Sequence, residues 1–248
     1  YIGKIKDLYS ILLKHEHSLI EQAYKPKLMK EAILNADGFG LAWKYKKSFK
    51  SYKNYLPIWN DLNLVNVSKS ISSNLVIGNV RSATISQNLG YHNTHPFVLN
   101  NYCFSHNGYL KDFNSVTKKK LLKYLTSKYA SLIKGQTDSE LIFILLMQFI
   151  ENNKDITISI KNLIELIKEH FTTFMLNILI ATYDKNGKKI LYGTKFSLGI
   201  NAPSLFYSKH KNEYIMISSE KLNNDKWYNI KNNSLIKVSE NNVEIEKI

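Results

Sequence analysis

The feature that most constrains this fold is the segment at residues 141–150, which is apolar on almost every side if it is a helix. Such a helix has to be covered all round, so it lies inside a layered protein. Helical patterns stand beside it at 117–133 and 160–171, and patterns typical of strands occupy both ends of the chain. Strands, then helices, then strands predict an α+β fold, and no repeat, low-complexity linker or domain boundary divides residues 1–248.

The chain has 248 residues, a formal net charge of +14 and 44% hydrophobic residues. That content is typical of a globular protein with a substantial core. A basic balance can indicate nucleic acid or an anionic surface. However, the lysines are scattered and the chain is also rich in Asn and Ile, a bias that AT-rich coding produces. Nucleic-acid binding therefore remains a remote alternative that rests on charge alone.

Several classes of protein and of site are not expected from this sequence. Its longest unbroken apolar run, 141–147, is far shorter than the ~20 residues of a membrane span. A single cysteine, Cys103, excludes an internal disulfide framework and fits a reducing compartment, so a cytoplasmic location is expected. His15 and His17 flank Glu16 but would not share a helix face, and no metal-ligand spacing is present. We expect no metal and no cofactor.

Arg81 is the only arginine among 34 basic residues, and it follows the apolar run 75–80, which predicts a buried strand. A guanidinium grips a carboxylate or phosphate through two parallel hydrogen bonds, which an ammonium cannot do. From this residue alone, an anion-binding role at a strand end and a buried structural ion pair are both open.

Two further stretches have an ordinary interpretation and a functional one. Asn107 and Gly108 follow a short predicted strand at 102–104, where Asn-Gly is usually a turn. The same pair can present a side-chain amide and a main-chain N–H to an oxyanion. Thr137 or Asp138 is a natural N-cap for the helix that follows, which locally suffices to explain both. Cys103 is expected to be a buried core thiol.

Taken together, these segments resemble the class II glutamine amidotransferases of the N-terminal-nucleophile hydrolase superfamily. The stand-alone branch, which includes the ergothioneine-pathway amidohydrolase and the glutathione-degrading amidotransferases, is the most similar in pattern. Each motif is weak alone, and their order and spacing carry the resemblance. The motifs are EHSL at 16–19, NADGFG at 35–40, PIWND at 57–61, RSAT at 81–84, NTHPF at 93–97, HNG at 106–108, TDSE at 137–140 and SSE at 218–220.

The resemblance implies a four-layer αββα sandwich, with two antiparallel sheets between helix layers. It also implies an N-terminal cysteine that attacks a γ-glutamyl amide, with its own α-amine as the base. Carried over by motif, Arg81 would hold the substrate α-carboxylate, with Thr84 and His95 beside it. Asp138 would hold the α-ammonium, and Asn107 and Gly108 would form the oxyanion hole. A zwitterionic head group needs one cation and one anion held apart, so this set is chemically coherent.

The family opens with Met-Cys-Arg and reaches the pattern of Tyr1-Ile2-Gly3 a few residues later, whereas this sequence begins at Tyr1. We therefore expect the nucleophile to lie upstream of Tyr1. Cys103 is no replacement, because it lies in a predicted strand and has no free amine. The second hypothesis is a γ-glutamyl-binding module without catalysis. In either case the partner is a small γ-glutamyl compound such as glutamine, and a separate protein is a possible acceptor of the released amine.

Overall fold

A computed structural model describes residues 1–29, 33–82, 90–239 and 242–248 of the chain. The strands, in chain order, are β1 Ile2–Asp7, β2 Phe39–Tyr45, β3 Ser48–Asn54, β4 Ser72–Val80, β5 Phe97–Leu99, β6 Tyr102–Leu110, β7 Phe174–Tyr183, β8 Lys189–Leu198, β9 Phe206–His210, β10 Tyr214–Ser218, β11 Trp227–Asn229, β12 Ser234–Ser239 and β13 Asn242–Lys247.

The two longest α-helices lie in the second half of the chain. A π-helical segment, Tyr9–Leu13, follows β1, and single 3-10 turns lie at Ile58–Asn60 and Tyr91–Asn93. The α-helices are α1 Leu19–Tyr24, α2 Leu64–Ser70, α3 Ser115–Leu122, α4 Ser127–Ala130, α5 Asp138–Asn153 and α6 Ile156–His170.

Two antiparallel sheets form the centre of the molecule. One has seven strands in the order β11-β9-β10-β1-β4-β2-β3, and the other has six in the order β13-β12-β8-β7-β6-β5. Alternate side chains of the facing strands fill the space between the sheets, among them Ile2, Leu75, Ile77, Ala181 and Ile236. Most of these side chains are aliphatic, so the two sheets are held together by a dry apolar layer.

A helix layer covers the outer face of each sheet. The π-helical segment and α1 pack on the seven-stranded sheet through residues that include Leu12, Leu19 and Phe39. Helices α5 and α6 cover the six-stranded sheet, where Leu141, Ile164 and Ile178 share one cluster. The predicted four-layer αββα arrangement is thereby confirmed. Among the described residues, no helix combines the length and apolarity that crossing a membrane requires.

The buried central helix is confirmed, and one predicted helix is divided. From Asp138 to Gln148 the side chains of α5 are buried on all sides, as the apolar pattern predicts. The segment expected as one helix at 117–133 forms α3 and α4 with a break between them. Gln148 of α5 stabilises this break, because its side chain donates to Tyr124 O at 2.7 Å and accepts from Thr126 N–H at 2.8 Å.

Candidate active site

The site residues converge near the end of the crevice between the two sheets, where β4, β6 and the start of α5 meet. A hydrogen bond from Asn79 Nδ2 to Ser105 Oγ, 3.0 Å long, joins β4 to β6 across the crevice. Arg81 follows Asn79 by two residues, and Asn107 follows Ser105 by two. Side chains two apart on a strand share a face, so Asn107 points into this crevice.

Arg81 is buried at the end of β4 and is held by the NADGFG segment. Its main-chain N–H donates to Gly38 O at 2.9 Å, and its carbonyl accepts from Asp37 N–H at 2.9 Å. Its Nη1 lies 3.5 Å from Asp37 O. Burial lowers the pKa of the guanidinium, while the carboxylates of Asp37 and Asp138 act in the opposite direction. The cation is therefore fixed in place close to two acidic side chains.

Asp138 is the first residue of α5, and Thr137 is its N-cap, with the threonine hydroxyl accepting from Glu140 N–H at 3.1 Å. Asp138 uses its carboxylate differently. Oδ2 accepts from Leu110 N–H of β6 at 2.9 Å, and Oδ1 accepts from Ser139 N–H at 2.8 Å. Of the two cap candidates, Thr137 is confirmed and Asp138 is excluded. The Asp138 side chain tethers α5 to the strand that carries Asn107 and Gly108.

The turn predicted at 106–108 is wrong, because β6 continues without interruption to Leu110. Residues 106–108 pair with residues 178–176 of β7. An Asn-Gly pair lacks local strand preference, but a full-length partner strand supplies the main-chain hydrogen bonds that a turn would otherwise make. Gly108 is required here by contact, since a Cβ at this position would lie 2.1 Å from Met175 O.

The main-chain N–H of Gly108 points away from β7. Lys111 N–H donates to Thr173 O of the neighbouring chain segment at 3.1 Å, whereas Leu110 N–H turns the other way to Asp138. Main-chain groups in an antiparallel pair alternate between the two sides of a strand. The Gly108 N–H therefore points to the same side as that of Leu110. Asn107 is exposed in the crevice beside it. The two donors expected of an oxyanion hole thus occur on adjacent residues of one strand.

His106 holds the same stretch of β6 in place through hydrogen bonds to α5 and β7. Its Nε2 lies 2.9 Å from Met175 O, and its Nδ1 lies 2.9 Å from Ser139 Oγ. A carbonyl only accepts, so Nε2 carries the proton and Nδ1 accepts from the Ser139 hydroxyl. Burial lowers the pKa of His106, which keeps the ring neutral. The neutral ring connects β6, β7 and α5.

His95 is buried near the same cluster, with Pro96 following through a cis peptide bond. Both ring nitrogens are shielded from solvent and have no hydrogen-bond partner among the described residues. Burial is the main cause that places its pKa well below the usual value, and the neighbouring His106, Arg81 and Lys53 lower it further. Lys53 holds the preceding turn by donating to Thr94 O at 2.9 Å. Thr84, the remaining predicted substrate residue, lies outside the described residues.

Three residues of the site escaped the sequence reasoning, although each stands inside a quoted motif. They are Asp37, which lies close to Arg81, and His106 and Ser139, whose side chains are hydrogen-bonded to each other between β6 and α5. Position within NADGFG, HNG and TDSE was a usable signal, but nothing local indicated what each side chain contacts. Among the described residues, no group of three or more His, Cys, Asp or Glu side chains is arranged to hold a metal ion.

Comparison with known proteins supports the family resemblance of the sequence. The family described as "Glutamine amidotransferases class-II" matches residues 26–191. The chain is 33% identical over 152 residues to "Probable glutamine amidotransferase DUG3" of Saccharomyces cerevisiae, covering 58% of this chain and 42% of that protein. It is 28% identical over 109 residues to "Gamma-glutamyl-hercynylcysteine sulfoxide hydrolase" of Mycolicibacterium smegmatis, covering 44% of this chain and 48% of that protein. The match thus spans less than half the length of these relatives.

Solved structures share the fold at lower identity. A glutamine aminotransferase class-II domain protein from Silicibacter pomeroyi superimposes with a TM-score of 0.71 at 22% identity, covering 100% of this chain and 96% of that one. A glutamine phosphoribosylpyrophosphate amidotransferase from B. subtilis gives a TM-score of 0.60 at 17% identity, covering 86% and 43%. Because the family match extends over most of the chain, this protein belongs to the class II glutamine amidotransferases.

Proposed function

We propose that this protein hydrolyses the γ-glutamyl amide bond of glutamine or a related γ-glutamyl compound, releasing glutamate and ammonia or an amine. The observation that carries the proposal is the convergence of a buried cation, Arg81, a buried anion, Asp138, and the adjacent donors of Asn107 and Gly108. A γ-glutamyl group presents a carboxylate, an ammonium and a reacting carbonyl, and this set offers one partner to each.

The roles follow from the chemistry of each group. Arg81 binds the α-carboxylate, and Asp138 binds the α-ammonium, to which its charge is complementary. The Asn107 amide and the Gly108 N–H stabilise the oxyanion of the tetrahedral intermediate, and such donors act mainly in the transition state. Thr84 and His95 are assigned to the carboxylate end, where the neutral His95 adds no charge and Arg81 alone balances the carboxylate.

The nucleophile in this proposal is a cysteine upstream of Tyr1, and the register of β1 supports that position. The Tyr1 main-chain nitrogen donates to Val76 O at 2.9 Å, and Val76 N–H donates back to Tyr1 O at 2.9 Å. Because β1 and β4 are antiparallel, each residue before Tyr1 advances one position along β4. A residue about five before Tyr1 would stand opposite Arg81.

The direction of that upstream side chain is also suitable. Side chains alternate along a strand, so a residue five before Tyr1 projects to the same face as Ile2. Ile2 faces the space between the sheets, which is also the face of Asn79. A cysteine there would face the crevice that holds Asn107. Cys103 does not substitute for it, because burial raises the pKa of its thiol well above the usual value.

The test is glutamate release from glutamine and from γ-glutamyl dipeptides by the full-length protein, together with sequencing of its mature N-terminus. We expect a first-position cysteine and turnover that is abolished by its replacement with alanine. Glutamate binding without turnover, and no N-terminal cysteine, would instead show a γ-glutamyl-binding module. The ammonia or amine is released into solvent or passes to a separate acceptor protein, and transfer to an added acceptor distinguishes these two outcomes.

A further inference from the structure

Glu220, just after the end of β10, is a buried carboxylate with three donors around it. Its Oε2 accepts from the His17 imidazole and from Lys27 N–H, the latter at 2.8 Å, and its Oε1 accepts from Leu28 N–H at 2.8 Å. His17 and Glu220 are 5% and 6% exposed. None of these groups has a part in the proposed chemistry.

Two hydrogen bonds from side-chain amides to main-chain carbonyls connect His17 to Asn35 through α1. Gln22 Nε2 donates to His17 O at 2.9 Å, and Asn35 Nδ2 donates to Gln22 O at 2.9 Å. The main-chain N–H of Asn35 also donates to Ala23 O at 2.6 Å. Asn35 is therefore held against α1 by two bonds. We call Glu220, His17, Gln22 and Asn35 the Glu220–Asn35 relay.

The relay ends at the segment that grips Arg81. Two residues after Asn35, Asp37 N–H donates to Arg81 O, and Arg81 N–H donates to Gly38 O, both at 2.9 Å. The stretch 33–38 contains no helix or strand. Main-chain bonds hold this segment to Arg81 at one end and to Ala23 at the other, and without a regular ladder between them its position also depends on side-chain contacts such as that of Asn35.

We propose that the Glu220–Asn35 relay positions the Arg81 guanidinium for the substrate carboxylate. Its members are positioning residues that do not touch the substrate, and this inference rests on the proposed function. A buried pair of hydrogen-bonded polar side chains contributes little net stability compared with apolar residues of similar size. The His17–Glu220 pair is better explained by the placement of connected segments than by stability. It ties the segment after β10 and the start of α1 to the loop beside Arg81.

The test compares two buried glutamines in the full-length protein. Gln22 and Gln148 are 5% and 7% exposed, and each donates from its side-chain amide to a main-chain carbonyl. Only Gln22 belongs to the relay. We expect Gln22→Ala to weaken L-glutamate binding, measured by titration calorimetry, by about three- to tenfold, the equivalent of one hydrogen bond. Gln148→Ala should lower the melting temperature similarly and leave the Kd for glutamate within about twofold of wild type.

A second pair of variants tests whether the effect passes through Arg81. In an Arg81→Lys background, the added Gln22→Ala change should weaken binding no further, because the geometry that it disturbs is already lost. Asn35→Ala is the alternative if Gln22→Ala does not fold, since Asn35 is only half-buried. Additive effects, or a glutamate Kd for Gln22→Ala equal to that of Gln148→Ala, would overturn the relay. Failure of the wild-type protein to bind glutamate would overturn the proposed function and the relay with it.

Discussion

The carboxylate of Asp138, at the start of α5, accepts a hydrogen bond from the main-chain N–H of Leu110 in β6 at 2.9 Å. This bond joins a helix that covers the six-stranded sheet to a strand within that sheet. Leu110 lies two positions after Gly108 in β6. The bond therefore connects the group proposed for the ammonium to the strand that carries the groups proposed for the oxyanion.

Asp138→Asn is expected to retain most of the stability of the protein and to lose glutamine turnover. An asparagine can still accept the Leu110 N–H through its amide oxygen, but it has no charge to offset the substrate ammonium. The measurements are the melting temperature and glutamate release. The difference in turnover between wild type and the variant should be smaller for a substrate whose α-amine is acylated than for glutamine.

Thr137→Ala is the matched control for Asp138→Asn, because Thr137 is the residue that caps α5. It should cost about 0.5–2 kcal/mol of stability and leave the KM for glutamine unchanged. If Asp138→Asn shows this same pattern, with normal kinetics and a lowered melting temperature, the assignment of Asp138 to the ammonium is wrong.

Arg81→Lys is expected to raise the KM for glutamine by about ten- to a hundredfold, because an ammonium cannot reproduce two charge-assisted hydrogen bonds. The fold should remain intact, since the main-chain bonds of Arg81 to Asp37 and Gly38 do not involve its side chain. Steady-state kinetics and circular dichroism check the two statements. An unchanged KM in a folded variant would remove Arg81 from the carboxylate site.

Asn107→Ala is expected to lower kcat by about 10²–10³ with little change in KM, because an oxyanion donor acts mainly in the transition state. Asn107 is exposed, so stability should not change. Asn229→Ala, at an exposed position on the edge strand β11, is the control and should leave both constants unchanged. A large rise in KM with kcat preserved would make Asn107 a ground-state contact.

The free energy of unfolding is expected to fall as the pH decreases below the ordinary histidine pKa of about 6.5. Burial is the main cause that lowers the pKa of both His95 and His106 in the folded protein. The unfolded chain therefore takes up protons that the folded chain excludes, and stability present above pH ~6.5 is lost on acidification.

Each of these histidines contributes up to about 1.4 kcal/mol per pH unit to that slope. Denaturant titrations between pH 7 and pH 5 measure it. A His95→Gln variant should show a shallower dependence than wild type. His210→Gln is the control, because His210 is only half-buried, and the slope should stay as in wild type. An identical slope in His95→Gln would show that His95 takes up its proton over the same pH range in the folded and unfolded states.

The sequence by itself determined the architecture and the approximate position of the site. The all-round apolar pattern of 141–150 requires a covered helix, and the order of strand and helix patterns predicts the α+β layers. The single arginine at the end of an apolar run indicated the residue that we propose as the cation of the site. These signals are local or periodic in the sequence, and they indicate which face of each segment is buried.

Only the tertiary structure decided what the polar residues contact. Residues 106–108 are strand rather than turn because β7, about 70 residues later, supplies their partner. Thr137 rather than Asp138 caps α5, and the Asp138 carboxylate instead accepts the N–H of Leu110. His17 and Glu220 are 203 positions apart, yet they form one buried pair. Local patterns carry no information about a partner brought in by the packing of distant segments, so these roles emerge only when the sheets and helices assemble.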